Sequence, residues 1–457
     1  MTDDGVLVSS GSQGSWAWVG ARLEPEAALS EHGGFAGLPE ERRTAEAAVR
    51  ERAWLAERWV PDGRHRFEIR YWNEPDTGRI SCALLGQVHD RDRQSAESAA
   101  RALRPRLLSV PRHVRAVGLD AAGVRRALTP LGAGGGAVGA TGTGTGTGAG
   151  TGTGTSAGPG PGPGPGPGPG GGSGPGDGGL AEVRKRLAWA PSTRHDARFR
   201  VGVMVFPLVG QAVSWEPVWN ELARQDRPSM IGVCLEPSAP GEGLPARLGY
   251  LAQEYGRLAV AGTPNPVYQQ PVPPDPFAIR AAPLYQDAAQ RYGGRVFRMR
   301  IAVAAAGPVP RHLAETVAAT VSAASVSAAS VSVAPLSAAP GAGTGAGAVS
   351  AAEAAVVRVP PEGERQAAWH SVDTLGRAWL EETYGQGAPP GRLGPVERVL
   401  SDLVDLPEAG TAFRFPYETP GRPPLFDTAS RRAARGGPRS GGPAPAAPQA
   451  DPHFPGL

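Results

Sequence analysis

Apolar residues recur along this chain with two periods, and each change of period marks an element. Ala45, Val49, Ala53 and Leu55 fall at helical spacing among Glu and Arg, so residues 16–60 read mainly as helix. Pro61-Asp62-Gly63 is a turn. The period then drops to two: Phe67, Ile69 and Tyr71 alternate with Arg66, Glu68, Arg70 and Trp72, the pattern of a half-buried strand. Glu74-Pro75-Asp76-Thr77-Gly78 has hairpin-turn chemistry, and residues 80–88 supply the return strand. Asp90 stands where a cap would open a helix over 91–108, with Ala96, Ala99, Ala100, Leu103 and Leu107 inward. Pro111 ends that helix, and residues 114–117 read as a short strand.

Residues 131–179 break every pattern. They run through Gly-Thr and then Gly-Pro dipeptides and carry almost nothing to bury, so they read as a disordered tether. Order is expected to resume with a short helix over 180–189 and an apolar strand over 199–206. Ser214 precedes a helix carrying Trp215, Val218, Trp219 and Leu222. Residues 230–235 read as a buried strand, and Pro245 opens a helix with Leu248, Leu251, Tyr255 and Leu258. After a Pro-rich loop come a helix with Leu284, Ala288 and Tyr292, then a strand over 296–303. That strand sets Phe297, Met299, Ile301 and Val303 against Arg298 and Arg300. A helix from Pro310 enters a low-complexity insertion at 321–351. Residues 356–359 read as an edge strand, 365–384 as a helix with Trp369 and Trp379, and 395–406 as a last helix.

The organisation expected is therefore an N-terminal block (1–130), the tether (131–179), a C-terminal block (180–420) and a Pro/Gly/Arg tail (421–457). Strand–strand–helix–strand in the first block is an α+β unit rather than a nucleotide-binding βαβ unit. The expected class is α+β, two antiparallel or mixed sheet-and-helix blocks, with ferredoxin-like units as the candidate form. The blocks could share one sheet or build two.

Composition changes this picture little. The 457 residues carry a formal net charge of +3, so no global field draws the chain to nucleic acid or acidic lipid. Lys185, the only lysine, reads as part of a charged helix. Cys82 and Cys234 fall in buried strands on either side of the tether, which argues against a disulfide framework or a thiolate metal site. Residues 316–352 lack charge but are rich in Ser, Gly and Ala, unlike a bilayer span. The N-terminus opens acidic, without the basic and apolar regions of a signal peptide, and the expected location is cytoplasmic.

The candidate chemistries mostly fail on residue type. A Walker A loop needs Gly-Lys-Ser/Thr, and Lys185 is followed by Arg186. A Gly-x-Gly-x-x-Gly match at Gly134, Gly136 and Gly139 neither follows a strand nor opens a helix, so it lacks phosphate-cradling geometry. His89-Asp90, His195-Asp196 and His370 with Asp373 pair a base with an acid, yet none has an identifiable third partner. Ser401 has no Gly-x-Ser-x-Gly elbow. Trp215, Trp219, Trp369 and Trp379 read as rings packing helices onto a sheet. One charged stretch stands out: Arg101, Arg104, Arg106, Arg112, Arg115, Arg125 and Arg126 face only Asp120, a candidate phosphate-contacting patch beside the plainer reading of a solvated helix face. No catalytic, cofactor or metal residues are assigned.

Three phrases carry a resemblance. Arg66-Phe67-Glu68-Ile69-Arg70-Tyr71, Ser81-Cys82-Ala83-Leu84-Leu85-Gly86 and Ala412-Phe413-Arg414-Phe415-Pro416 are similar to the N-terminal, non-ATPase region of actinobacterial proteins of the HerA-like, conjugation-type ATPase group. In that group the last phrase shortly precedes the motor domain. Here neither Walker motif follows Pro416, so the resemblance implies an accessory part whose motor is a separate chain. The expected function is a non-catalytic scaffold or adaptor with protein partners. The alternative is a nucleic-acid-associated protein using the arginine patch.

Overall fold

The computed structural model describes residues 5–131 (apart from 13 and 27), 179–208, 214–263 (apart from 242), 272–322, 355–376, 394–419 and 421–428. The tether, the glycine motif at 134–139, the 321–351 insertion beyond Ser322, Trp379 and most of the tail lie outside these residues.

Strands β1 (Leu7–Gly11) and β2 (Gly14–Pro25) open the chain, followed by helix α1 (Glu40–Glu57). The expectation of helix from residue 16 is thus corrected. β2 is buried along nearly its whole length, on both faces of the sheet, and a strand buried on both faces shows no period of two. The hairpin of β3 (His65–Glu74) and β4 (Arg79–Asp90) forms as its alternation indicates, turning at Gly78 with φ +59°. Helix α2 (Arg93–Leu108), β5 (Val114–Gly118) and α3 (Ala121–Leu128) complete the first half. The cap of α2 is Asp92, whose carboxylate accepts from Ser95 N at 2.7 Å; Asp90 ends β4 and accepts from Asp92 N.

The second half begins with strands where a helix was expected: β6 (Gly179–Lys185) and β7 (Leu187–Pro191), which pairs with β8 (Val201–Val205). Glu182 and Lys185 are buried in β6, and buried charges hid its strand character. Then come α4 (Glu216–Ala223), β9 (Ser229–Ser238), α5 (Gly243–Leu258), α6 (Pro276–Arg291), β10 (Val296–Ala305), α7 (Arg311–Ser322), β11 (Ala355–Arg358) and α8 (Glu362–Asp373). The helix expected over 395–406 gives way to α9 (Pro395–Leu400) and β12 (Leu403–Asp405), and α10 (Leu406–Ala412) follows.

One antiparallel ten-stranded sheet runs through both halves, in the order β1-β2-β4-β3-β9-β10-β6-β11, with β5 on β2 and β12 on β10. β3 and β9 join the halves, Phe67 opposite Leu235 through Trp72 opposite Met230. Two blocks sharing one sheet is the outcome, so neither swings free of the other.

The halves repeat one topology. In the first, β2-α1-β3-β4-α2-β5 folds with sheet order β5-β2-β4-β3; in the second, β6-α4-β9-β10-α7-β11 folds with order β11-β6-β10-β9. Each is the β-α-β-β-α-β arrangement of a ferredoxin-like unit, and each is followed by one more helix, α3 or α8. The halves meet edge to edge about a pseudo-twofold axis near Ile69 and Val233, which face each other. Around it Glu68 corresponds to Gly232, Arg70 to Cys234 and Ala83 to Arg300.

The helices divide by face. One face of the sheet packs against α1, α2, α4, α7 and α10 through a core that includes Val19, Ile69, Leu84, Val233 and Ile301. The other carries α3 over Trp18, Ala83 and Leu85, and α8 over Met230, Ala302 and Ala304. The second unit also bears an additional layer without counterpart among the described residues of the first: β7, β8, α5, α6 and α9 share a core around Leu248, Tyr255 and Tyr285. Lys185 sits where that layer joins the sheet, its Nζ donating to Tyr292 Oη (2.8 Å) and Leu403 O (2.7 Å) and pairing with Glu408 (2.9 Å).

After α10 the chain crosses back onto the first unit. Phe413 and Phe415 pack around Trp54, Arg414 pairs with buried Glu51 at 2.5 Å, and Tyr71 Oη donates to Arg414 O. Leu425 O and Asp427 N bond to the backbone of Ile80 (2.9 Å each), and Phe426 is buried beside Trp219. The tail expected from residue 421 is therefore packed as far as Asp427.

Candidate interface at the pseudo-twofold axis

Alternation in β3 sends Phe67, Ile69 and Tyr71 into the helix-covered core and Glu68 and Arg70 to the opposite face. That polar side is not solvated: Glu68 and Arg70 are wholly buried at the axis, and Arg300 of β10 reaches the same point. Glu68 accepts from Arg70 Nε at 2.5 Å and from Arg300 Nη2 at 2.9 Å. Opposite Arg70 stands Gly232, and a Cβ added there would collide with Glu68 Oε1; glycine leaves room for the carboxylate.

The remaining guanidinium donors go to backbone. Arg70 donates to Ala127 O and Leu128 O at the end of α3, and to Val372 O in the last turn of α8. Arg300 donates to Ser371 O and Gly376 O. Gln87 on β4 donates to Thr374 O, and the Cys234 thiol lies 3.6 Å from Leu375 O. The two trailing helices thus converge on the axis by their C-terminal ends, where carbonyls lack partners within the helix and the dipole is negative. Two arginines satisfy both ends, and Glu68 balances one of the two charges. Leu375, buried with φ +55°, turns the chain directly after α8.

Asp373, the last residue of α8, is buried beside this cluster. Burial pushes its carboxyl up to about 7, against the pull of Arg70 and Arg300 and with the help of Glu68. Burial also pushes the Cys234 thiol up to about 12. On the other face the buried Glu51 carboxyl is held low, because Arg414 and His113 outweigh its desolvation.

Other candidates from the sequence are dispersed. His370 is exposed while Asp373 is buried; His195 is exposed, and Asp196 is engaged by Arg194 and Arg257. His89 packs against Trp16. Ser401 donates to Arg398 O, and Glu236 pairs with Arg66. The seven arginines do not share a face. Arg101, Arg104 and Arg106 ride on α2, which packs on one side of the sheet, whereas Arg125 and Arg126 ride on α3, on the other. Arg101 pairs with Glu97, and half-buried Arg104 donates to Leu119 O; Arg112 and Arg115 are exposed around β5.

Glu68, Arg70 and Arg300 were visible in the sequence only as the polar side of two strands. The available signal was opposite charge two residues apart in β3 with an arginine in corresponding alternation on β10. The three resembling phrases fall on β3, on β4 and on the segment after α10, and they pack against one another. No protein-family model and no curated protein matches the chain.

Proposed function

We propose that this chain is a non-catalytic scaffold or adaptor, an accessory component of an assembly whose P-loop ATPase is a separate chain. One observation carries the reading: the buried charges at the axis are used to hold backbone, fixing two units and their trailing helices into one platform. A group meant for proton or group transfer needs access to substrate, whereas Arg70 and Arg300 are occupied by carbonyls. The HerA-like resemblance supplies the kind of partner. It favours a P-loop motor because the sequence has no lysine placed to serve one itself.

Among the described residues no helix is long and apolar enough to cross a membrane. Affinity purification of the tagged full chain, followed by mass spectrometry, tests the proposal. Stoichiometric recovery of a P-loop ATPase, with no ATP hydrolysis by the chain alone, is expected. Recovery with no ATPase under native conditions would refute the accessory role.

A further inference from the structure

We infer that β3 and the charges behind it form a recognition surface for the second unit, so that the chain is a fused dimer whose halves select each other without the covalent connection. The first ground is symmetry. Equal topologies meeting edge to edge about a twofold axis form the arrangement that two copies of one unit would make. The interface is also broad. Beyond the β3–β9 ladder, Asn73 Nδ2 donates to Gln225 O (2.7 Å) while its Oδ1 accepts from Ser229 N (2.7 Å). Trp59 Nε1 donates to Val296 O (2.8 Å), and the segment after α10 packs on α1 and the β3–β4 hairpin.

The second ground is charge, which distinguishes the pairings. In a symmetric pair of first units, the observed register would set Glu68 of each copy opposite Arg70 of the other. The second unit lacks that self-complementarity: glycine and cysteine stand at the corresponding positions, and Arg300 stands where the first unit has the small Ala83. Two second units would bring two Arg300 side chains to the axis without Glu68. In the mixed pair Glu68 serves Arg70 and Arg300 together. Arg300 of the second unit therefore takes its ion-paired, hydrogen-bonded carboxylate from the first, and burial makes the loss of that partner costly.

The test uses the full chain with a protease site inserted between Gly154 and Thr155. After complete cleavage, size-exclusion chromatography with native mass spectrometry is expected to show one 1:1 complex at micromolar concentration. Glu68→Gln is expected to weaken the cleaved pair about 30-fold or more, as does loss of one partner from a buried charge cluster. Glu315→Gln, in an exposed pair with Arg311 on α7, is expected to leave it unchanged. Circular dichroism of each uncleaved parent establishes that the variant folds, and Arg300→Met provides a second axis variant. Separation of the wild-type fragments, or axis variants that bind as tightly as wild type, would overturn the inference.

Discussion

Asp373 makes the axis cluster sensitive to pH in a direction that can be worked out. Its carboxyl has an ordinary value of 3.8 and is raised to about 7 in the fold, chiefly by burial. Between those values the folded chain holds a proton that the unfolded chain has released, so stability falls as pH rises. Each pH unit well inside the window costs about 1.4 kcal/mol, and the full shift amounts to about 4 kcal/mol. Below the unfolded value the contribution is constant; above the folded value the loss is complete. Asp373→Asn keeps the size and the neutral form, and so removes this dependence while leaving other titrations in place. Urea unfolding followed by tryptophan fluorescence at pH 5, 6, 7 and 8 measures the effect. The gap between variant and wild type should widen by about 2–3 kcal/mol from pH 5 to pH 8, in favour of the variant. Parallel pH profiles would show that Asp373 is ionised without penalty and that the burial argument is wrong.

A chain ending at Pro420 loses the Leu425 and Asp427 bonds to Ile80 and the buried Phe426 ring, and should be less stable by about 3–5 kcal/mol in the same urea titration. Gly232→Ala forces Glu68 off its site and should destabilise by about 1–3 kcal/mol in thermal unfolding. Cys82 and Cys234 are buried with raised thiol pKa values, so a thiol reagent at pH 8 should titrate neither until denaturant is added.

Much of the architecture was legible where one side of an element stayed apolar and the other polar. β3 and β10 are legible by alternation, β4 by the hairpin turn before it, and α2 by its row of Ala and Leu. β2 and β6 are not, because helices cover both faces of the sheet there and the period of two disappears. At the axis, alternation alone implies a solvated side for Glu68, Arg70 and Arg300, whereas they are the buried centre, since local sequence cannot reveal that a second unit and two helix ends close over them. The likeness of the two units lies in their repeated order of elements. Corresponding positions hold Glu and Gly, Arg and Cys, Ala and Arg, so residue identity conceals the repeat that strand order discloses.

Lys185 has a practical consequence for chemistry done on this protein. It is the chain's one lysine, and its Nζ is enclosed by Tyr292, Leu403 and Glu408. The folded molecule offers solvent no ε-amine, so enzymatic acylation and amine-directed cross-linking have no lysine to act on. An amine-reactive dye in excess would reach that site only when the junction opens. The rate of attachment at Lys185, separated from that at the α-amine by peptide mapping, becomes a clock for that opening.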